Sequence, residues 1–343
     1  MRPLRFLVPG TGARFRCGGL QVELQTAGLA SALAPTEIVT YRVRESGHPF
    51  LADLVGAEPC PGPALWIVSW GFDVPRQLRQ LRGRPLAYHA HSGGYSFDLP
   101  AGVPVLAVSR NTLGYWGDRA PRNPLFLVPN ALAPQWCDRG LERDIDVLVQ
   151  ARKTSAYVLN QLVPALRHAG LRVEVQSGWV DDLVGLFNRS RVFLYDSADY
   201  WRGRGVSEGF GLPPLEALAS GCVVFSSLNH ALADTIDPGR LGHQIGAGTL
   251  GADLQRIGSA AHDPAPWRAD PQALARLLAE CGEARLQQRW GEALAAINVH
   301  WDRLLGVEGA GAVVPPEPPL RAPPPWQLRW RGRVGRLKGW LAR

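Results

Sequence analysis

Residues 191–227 read RVFLYDSADYWRGRGVSEGFGLPPLEALASGCVVFSS. An apolar run ends near Tyr195, a polar loop and a Gly-Phe-Gly turn follow, and Pro213-Pro214 leads into the helix-forming LEALAS, Gly221 and a second apolar run. Proline is tolerated in the first turn of a helix, and glycine closes one at its carboxyl end. The spacing therefore predicts strand, loop, helix, strand, the repeating unit of a parallel α/β sheet. Glu208 falls on the loop and Glu216 in the first helical turns, both beyond the carboxyl ends of the strands, where such sheets bind ligands.

The same alternation extends in both directions. Upstream of residue 133 the runs LRFLVPG, EIVTYRV, ALWIVSW, PLAYHAH, VPVLAVS and PLFLVPNAL read as short buried strands, with a helix over LQVELQTAGLASALA. A polar stretch over 133–142 precedes a second series, from IDVLVQA through LRVEVQSG and RVFLYDS to CVVFSS. Two doubly wound halves are expected: an amino-terminal one over 1–138 and a second one over 139–306 that includes the terminal helices. A ligand would sit in the cleft between them. Residues 307–325 form a Pro-rich linker, and 326–343 a basic tail.

Composition limits the class of molecule. The 343 residues are 46% hydrophobic and 20% charged, as in a soluble globular protein. No run approaches the roughly 18 apolar residues of a membrane span, and the amino terminus has no signal-peptide pattern. The five cysteines are scattered without CxxC pairs, which points to reduced thiols in a cytoplasm and to neither disulfide nor structural zinc. Of the net charge of +7, all seven units lie after position 320, where seven basic residues stand without an acid.

The loop–helix step at 208–216 combines glycines that admit a ligand to the backbone with the start of a helix, a natural phosphate seat. Two carboxylates beside it would repel phosphate, so they are expected to accept hydrogen bonds from hydroxyls on either side. A sugar, a diphosphate and a ribose together make a nucleotide sugar.

SEGFGLPPLEALASG resembles the E-x7-E signature of the family 4 retaining glycosyltransferases, with Glu208, Gly209, Phe210, Gly211, Leu212, Pro213 and Glu216 in register. The resemblance implies a GT-B fold of two Rossmann-like domains, and transfer of a sugar from a nucleotide diphosphate sugar to an acceptor hydroxyl with retention. It places Glu208 on donor-sugar hydroxyls, Glu216 on the ribose, and the amides of Phe210 to Leu212 on the diphosphate or sugar. It implies no divalent metal and no other cofactor, in keeping with the lack of an Asp-x-Asp motif. Cationic side chains and amides would stabilise the departing diphosphate instead.

Further candidates follow. Arg152 and Lys153 close the strand VLVQA and are candidates to neutralise the diphosphate, Arg152 being the better match to the family's cation; Lys153 is one of two lysines, the other being Lys338, in a chain otherwise supplied with arginine. Gly18 and Gly19 resemble the family's loop near the donor phosphates. His89 and His91 lie two apart on one face of a strand end, and His91 matches better the histidine that contacts the donor sugar. Ser177, Gly178 and Trp179 are candidates for the base pocket. Ser109, Arg110 and Asn130 either face the cleft or serve as caps and turns.

The tail interleaves Trp326, Trp330 and Trp340 with its arginines, a pattern for lying on an anionic membrane surface. A glycan or lipid-linked acceptor would suit a peripheral position at the inner face of the plasma membrane, in cell-surface glycan or glycolipid synthesis. The alternatives for the tail are disorder or charge attraction to nucleic acid, although no specific nucleic-acid module is present. The alternative for the whole chain is a non-catalytic nucleotide-sugar-binding or scaffold protein on the same fold.

Overall fold

The computed structural model describes residues 1–306 apart from Trp70 and Trp179, so Trp179, the linker and the tail lie outside the described residues. The first half is a six-stranded parallel sheet of β1 (Leu4–Val8), β2 (Thr36–Thr40), β3 (Leu65–Val68), β4 (Leu86–Ala90), β5 (Val105–Ala107) and β6 (Leu125–Leu127), in the order β2-β1-β3-β4-β5-β6. The second contains β7 (Ile145–Gln150), β8 (Val173–Gln176), β9 (Ser190–Tyr195), β10 (Val223–Ser226) and the short β11 (His243–Gln244), ordered β11-β10-β9-β7-β8 and parallel throughout. The expected strands are present, and β11 is an addition.

Helices cover both faces of each sheet, which is why the strands read as continuous apolar runs rather than as alternating ones. Phe6, Leu65, Ile67 and Leu106 point into one cluster of the first half, and Leu7, Trp66, Val68 and Tyr88 into another on the opposite face. The terminal helical segment divides. Helix Pro271–Glu280 stays on the second half, while helix Glu283–Leu304 crosses to the first sheet, burying Trp290, Leu294 and Ile297 against Phe6 and Leu4. Arg2 fastens that return, its guanidinium 2.5 Å from Asp302.

Strand order reverses between β7 and β9, because β8 extends one side of β7 and β9 the other. The loops that leave β7 and β9 diverge there and open a crevice. Lys153 follows β7, and the segment from Asp196 to Glu208 follows β9.

Candidate active site

Glu208 is 5% exposed, and three elements converge on it. The Tyr195 hydroxyl at the end of β9 donates to Oε2 at 2.6 Å. Trp201, on helix Ala198–Arg204, donates its indole N–H to the same oxygen at 2.6 Å. Lys153 holds its Nζ 3.7 Å from Oε1 and 4.6 Å from the centre of the Trp201 ring, so one cation faces both a carboxylate and an aromatic face. Burial together with Glu208 pushes the Tyr195 phenol well above its usual value, which keeps it a donor.

The Glu208 backbone N–H donates to His230 Nδ1 at 3.1 Å. Burial lowers the His230 pKa, so the ring stays neutral and that nitrogen remains an acceptor. His230 (φ 55°) and Lys153 (φ 98°) are the two non-glycine residues with left-handed backbone among the described residues, and both touch Glu208. Such conformations cost about 1–3 kcal/mol each and persist where the surroundings require them. Lys153→Gly is therefore expected to be about 1 kcal/mol more stable than Lys153→Ala in urea melts. Both variants lose the charge, so the difference isolates backbone strain, and equal stabilities would contradict it.

Glu216 lies on helix Leu212–Ala219, half-buried, and its carboxylate makes no hydrogen bond among the described residues. Burial raises its pKa to about 8, opposed by the charge of Lys153. Lys153 thus interacts with both glutamates of the eight-residue pair. Since Pro213 and Pro214 carry no N–H, Leu212 alone offers an amide among the first three positions of the helix. Gly211 caps it with φ 87°.

The two halves meet along the Glu208 loop. A Cβ on Gly209 would lie 1.5 Å from the His91 carbonyl oxygen, so the backbones are in direct contact. Ser207 donates its N–H to the Gly93 oxygen at 3.0 Å and receives the Gly93 N–H on its hydroxyl at 2.8 Å. The Ser92 hydroxyl donates to the Ser207 oxygen at 2.6 Å. The Phe210 side chain fills a pocket with Val108, Leu132, Leu215 and Cys281, leaving its backbone as the part a ligand could reach. Asp234 accepts the Arg110 N–H at 2.6 Å, so Arg110 and Ser109, the N-cap of helix Arg110–Arg119, belong to a cap that bridges the halves. Asn130 is buried with Oδ1 unpartnered. Beside this seam a cleft of about 540 Å³ is lined by Gly94, Asn111 and Tyr115 from the first half and by Trp201, Arg202 and His230 from the second.

The remaining candidates fall elsewhere. Arg152 is exposed, and its neighbour Lys153 makes the contact with Glu208. Ser177 and Gly178 are exposed at the end of β8, one strand away, and share no hydrogen bond with the Glu208 cluster; Trp179 lies outside the described residues. Gly18 and Gly19 begin helix Gly18–Ala30 with no atom of the chain closer than 3.9 Å to an added Cβ, so internal packing does not require glycine there. His91 directs its Nε2 at Glu23 on that helix. Glu23 Oε2 accepts from His91 Nε2 at 2.7 Å and from His89 Nδ1 at 2.8 Å. Those three atoms lie within 4.8 Å of one another, close enough for metal ligands, but at separations that hydrogen bonds already explain.

Tyr195, Trp201, His230 and Glu23 were not singled out from the sequence. Trp201 lies on the helix that follows β9 and His230 on the loop that follows β10, both beyond carboxyl ends of strands, and Glu23 is an acid inside an apolar helical run, which are the signals that mark them.

No protein-family model matches the sequence, and no curated protein matches it. Solved structures do match the fold. Sucrose-phosphate synthase from Thermosynechococcus elongatus superposes with a TM-score of 0.63 at 15% identity over 87% of this chain and 99% of that one. Anabaena HepE, solved with UDP and glucose, gives 0.62 at 15% identity over 86% and 100%. A glycosyltransferase from Rickettsia africae gives 0.63 at 12% identity over 87% and 98%. The fold is GT-B, two Rossmann-like α/β domains.

Proposed function

We propose that the protein is a glycosyltransferase that moves a sugar from a nucleoside diphosphate sugar to an acceptor hydroxyl, with retention at the anomeric carbon and without a divalent metal. The observation that carries this reading is a lysine at the order reversal of the second sheet that stands 3.7 Å from Glu208 Oε1 and whose charge also acts on Glu216. Lys153 would take the diphosphate, Glu208 Oε1 a sugar hydroxyl, and Glu216 the ribose hydroxyls. The amides around Gly209 to Leu212, with the open helix start at Gly18 and Gly19, would add donors to phosphate oxygens. HepE, of the same fold, has been solved with UDP and with UDP-glucose, which supports a donor of this class.

The acceptor would enter the cleft bounded by Tyr115 and Trp201. Its oxygen forms the new bond to the anomeric carbon as the carbon–phosphate oxygen bond breaks. Its proton passes to the departing phosphate oxygen on the same face, so configuration is kept. Lys153 and the amides hold the charge that develops on the leaving group. Arg152, exposed beside Lys153, would add long-range attraction for the anion. A glycan or lipid-linked acceptor, brought close by the basic tail at an anionic surface, fits this arrangement. Among the described residues no helix is long and apolar enough to cross a membrane.

Thermal melts with UDP, GDP, ADP, TDP and CDP, in EDTA, test the donor site. One diphosphate at about 100 times its Kd should add roughly 2.7 kcal/mol to the wild type, and Glu216→Ala should lose most of that. No responder at millimolar ligand would overturn the reading in favour of a scaffold.

The raised pKa of Glu216 adds a sign. Its folded value of about 8 exceeds the ordinary 4.5, so it withdraws stability from the free protein as pH climbs between those values. Ribose hydroxyls donating to the carboxylate favour its charged form, so binding below pH 8 should release a proton and tighten with rising pH up to that point. Calorimetry in buffers of different ionisation heat should show this release in wild type and not in Glu216→Gln. The ligand's own phosphate titrates in both and cancels.

A further inference from the structure

We propose that Glu23 is a positioning residue: it fixes His91 as the Nε2–H tautomer, so that the ring presents Nδ1 as an acceptor to a hydroxyl of the donor sugar. This role rests on the transferase reading for the sugar, but the tautomer itself follows from Glu23, His89 and His91 alone.

Glu23 is 1% exposed, and its Oε1 is buried without a partner, so the two histidines are what hold the carboxylate. Burial pushes its pKa up, but its interactions with His89 and His91 outweigh that and bring it to about 2, so the carboxylate is ionised at neutral pH. An ionised carboxylate only accepts, and here one oxygen serves both rings. Each facing nitrogen must therefore carry a proton: Nδ1 on His89 and Nε2 on His91. Burial keeps His89 neutral, its Nε2 unpartnered and its ring edge-on to Trp290 at 5.2 Å. No other charged group contributes to the ionisation of Glu23 or of His89.

For His91 the consequence is one free nitrogen. Its side chain is 20% exposed, and Nδ1 has no hydrogen-bond partner among the described residues. The carbonyl of the same residue touches Gly209, next to Glu208, so the backbone that carries the ring is held against the proposed sugar site. Gly19 lies four residues before Glu23, on the same face of the helix. The Glu23–His91 contact thus ties the open helix start to the Glu208 loop. A carboxylate that selects an imidazole tautomer from a buried position acts through the histidine rather than on the substrate.

The test is imidazole 15N spectroscopy of the full-length chain at neutral pH. Wild-type His91 should show a protonated Nε2 and a bare Nδ1. The resonance of that Nδ1 should move on adding the glucose conjugate of whichever nucleoside diphosphate stabilises the protein, and not on adding the diphosphate alone. In Glu23→Ala neither N–H retains its acceptor, so His91 should lose its single tautomer. Transfer should then fall about 100-fold, with the affinity for the free diphosphate unchanged.

The wild-type spectrum stands even if the variant does not fold. A proton on Nδ1 of wild-type His91, or an Nδ1 unmoved by a sugar nucleotide that binds, overturns the proposal. So does one equivalent of Zn²⁺ that shifts both histidines together, which would assign the trio to a metal. Failure of every diphosphate to bind is a different result: it sinks the transferase reading, and the sugar-facing role of His91 falls with it.

Discussion

Replacing Glu208 with alanine or glutamine is expected to lower the rate of sugar transfer by about 10²–10³-fold, roughly 3–4 kcal/mol of transition-state stabilisation. The two oxygens of Glu208 have different duties. Oε2 receives both the Tyr195 hydroxyl and the Trp201 indole, whereas Oε1 faces Lys153 at 3.7 Å, too far for a hydrogen bond, and keeps its capacity to accept. Glutamine can keep its oxygen on Tyr195 and Trp201 only by turning its NH2 to Lys153, which removes the acceptor and sets two donors face to face. Alanine removes the acceptor and also strands Tyr195, 1% exposed, and the indole, at about 1–3 kcal/mol for each unsatisfied group. Rates should therefore fall alike in the two variants, while alanine alone lowers the melting temperature sharply. Initial rates of diphosphate release and thermal melts separate the two effects. A glutamine variant within tenfold of wild type would remove Glu208 from the chemistry.

The strand–loop–helix–strand reading of 191–227 could be made from sequence because each signal in it is local. Pro213 and Pro214 sit in the first turn of the helix, Gly221 lies just past its end at φ 77°, and the flanking runs are β9 and β10. What surrounds Glu208 was not legible in the same way. Its partners come from the turn after β7, from the end of β9 and the helix that follows it, and from the loop after β10, and they meet it through the strand order of the sheet, which no local pattern encodes. Lys153 stood out by its rarity, Trp201 and His230 did not, and the left-handed backbone at Lys153 and His230 has no composition signal at all. His91 was marked as a ligand contact from its place at a strand end, but the carboxylate that receives its ring lies 68 residues earlier in the chain. The glycines divide in an instructive manner. Gly209 is expected to make room for a ligand, and its missing Cβ also admits the backbone of the other half of the protein. Gly18 and Gly19, equally ambiguous in sequence, have open space where a packing role would show contact.

Gly209→Ala should consequently be among the most damaging single substitutions in the chain, lowering stability by about 3–5 kcal/mol. The added Cβ would fall 1.5 Å from the His91 oxygen and 2.6 Å from its carbonyl carbon, both backbone atoms with no rotamer to escape into. Relief requires the two segments to part. Parting them breaks the hydrogen bonds that join Ser207 to Ser92 and Gly93 and draws Phe210, 6% exposed, out of its pocket with Val108 and Leu132. Lost burial of Phe210 accounts for about 1.5–3 kcal/mol and the hydrogen bonds for about 1 kcal/mol each, partly recovered by water. Against a typical total of about 5–15 kcal/mol, the variant should be marginal at 37 °C. Gly18→Ala supplies the contrast, since its Cβ meets nothing within 4 Å and it stands at the first position of a helix, where alanine is tolerated, so stability should change by less than about 1 kcal/mol. Urea melts of the two variants against wild type measure the difference. If Gly209→Ala unfolds within about 1 kcal/mol of wild type, the seam yields easily, and the close approach of His91 to the Glu208 loop no longer explains how the two halves present their groups to one ligand.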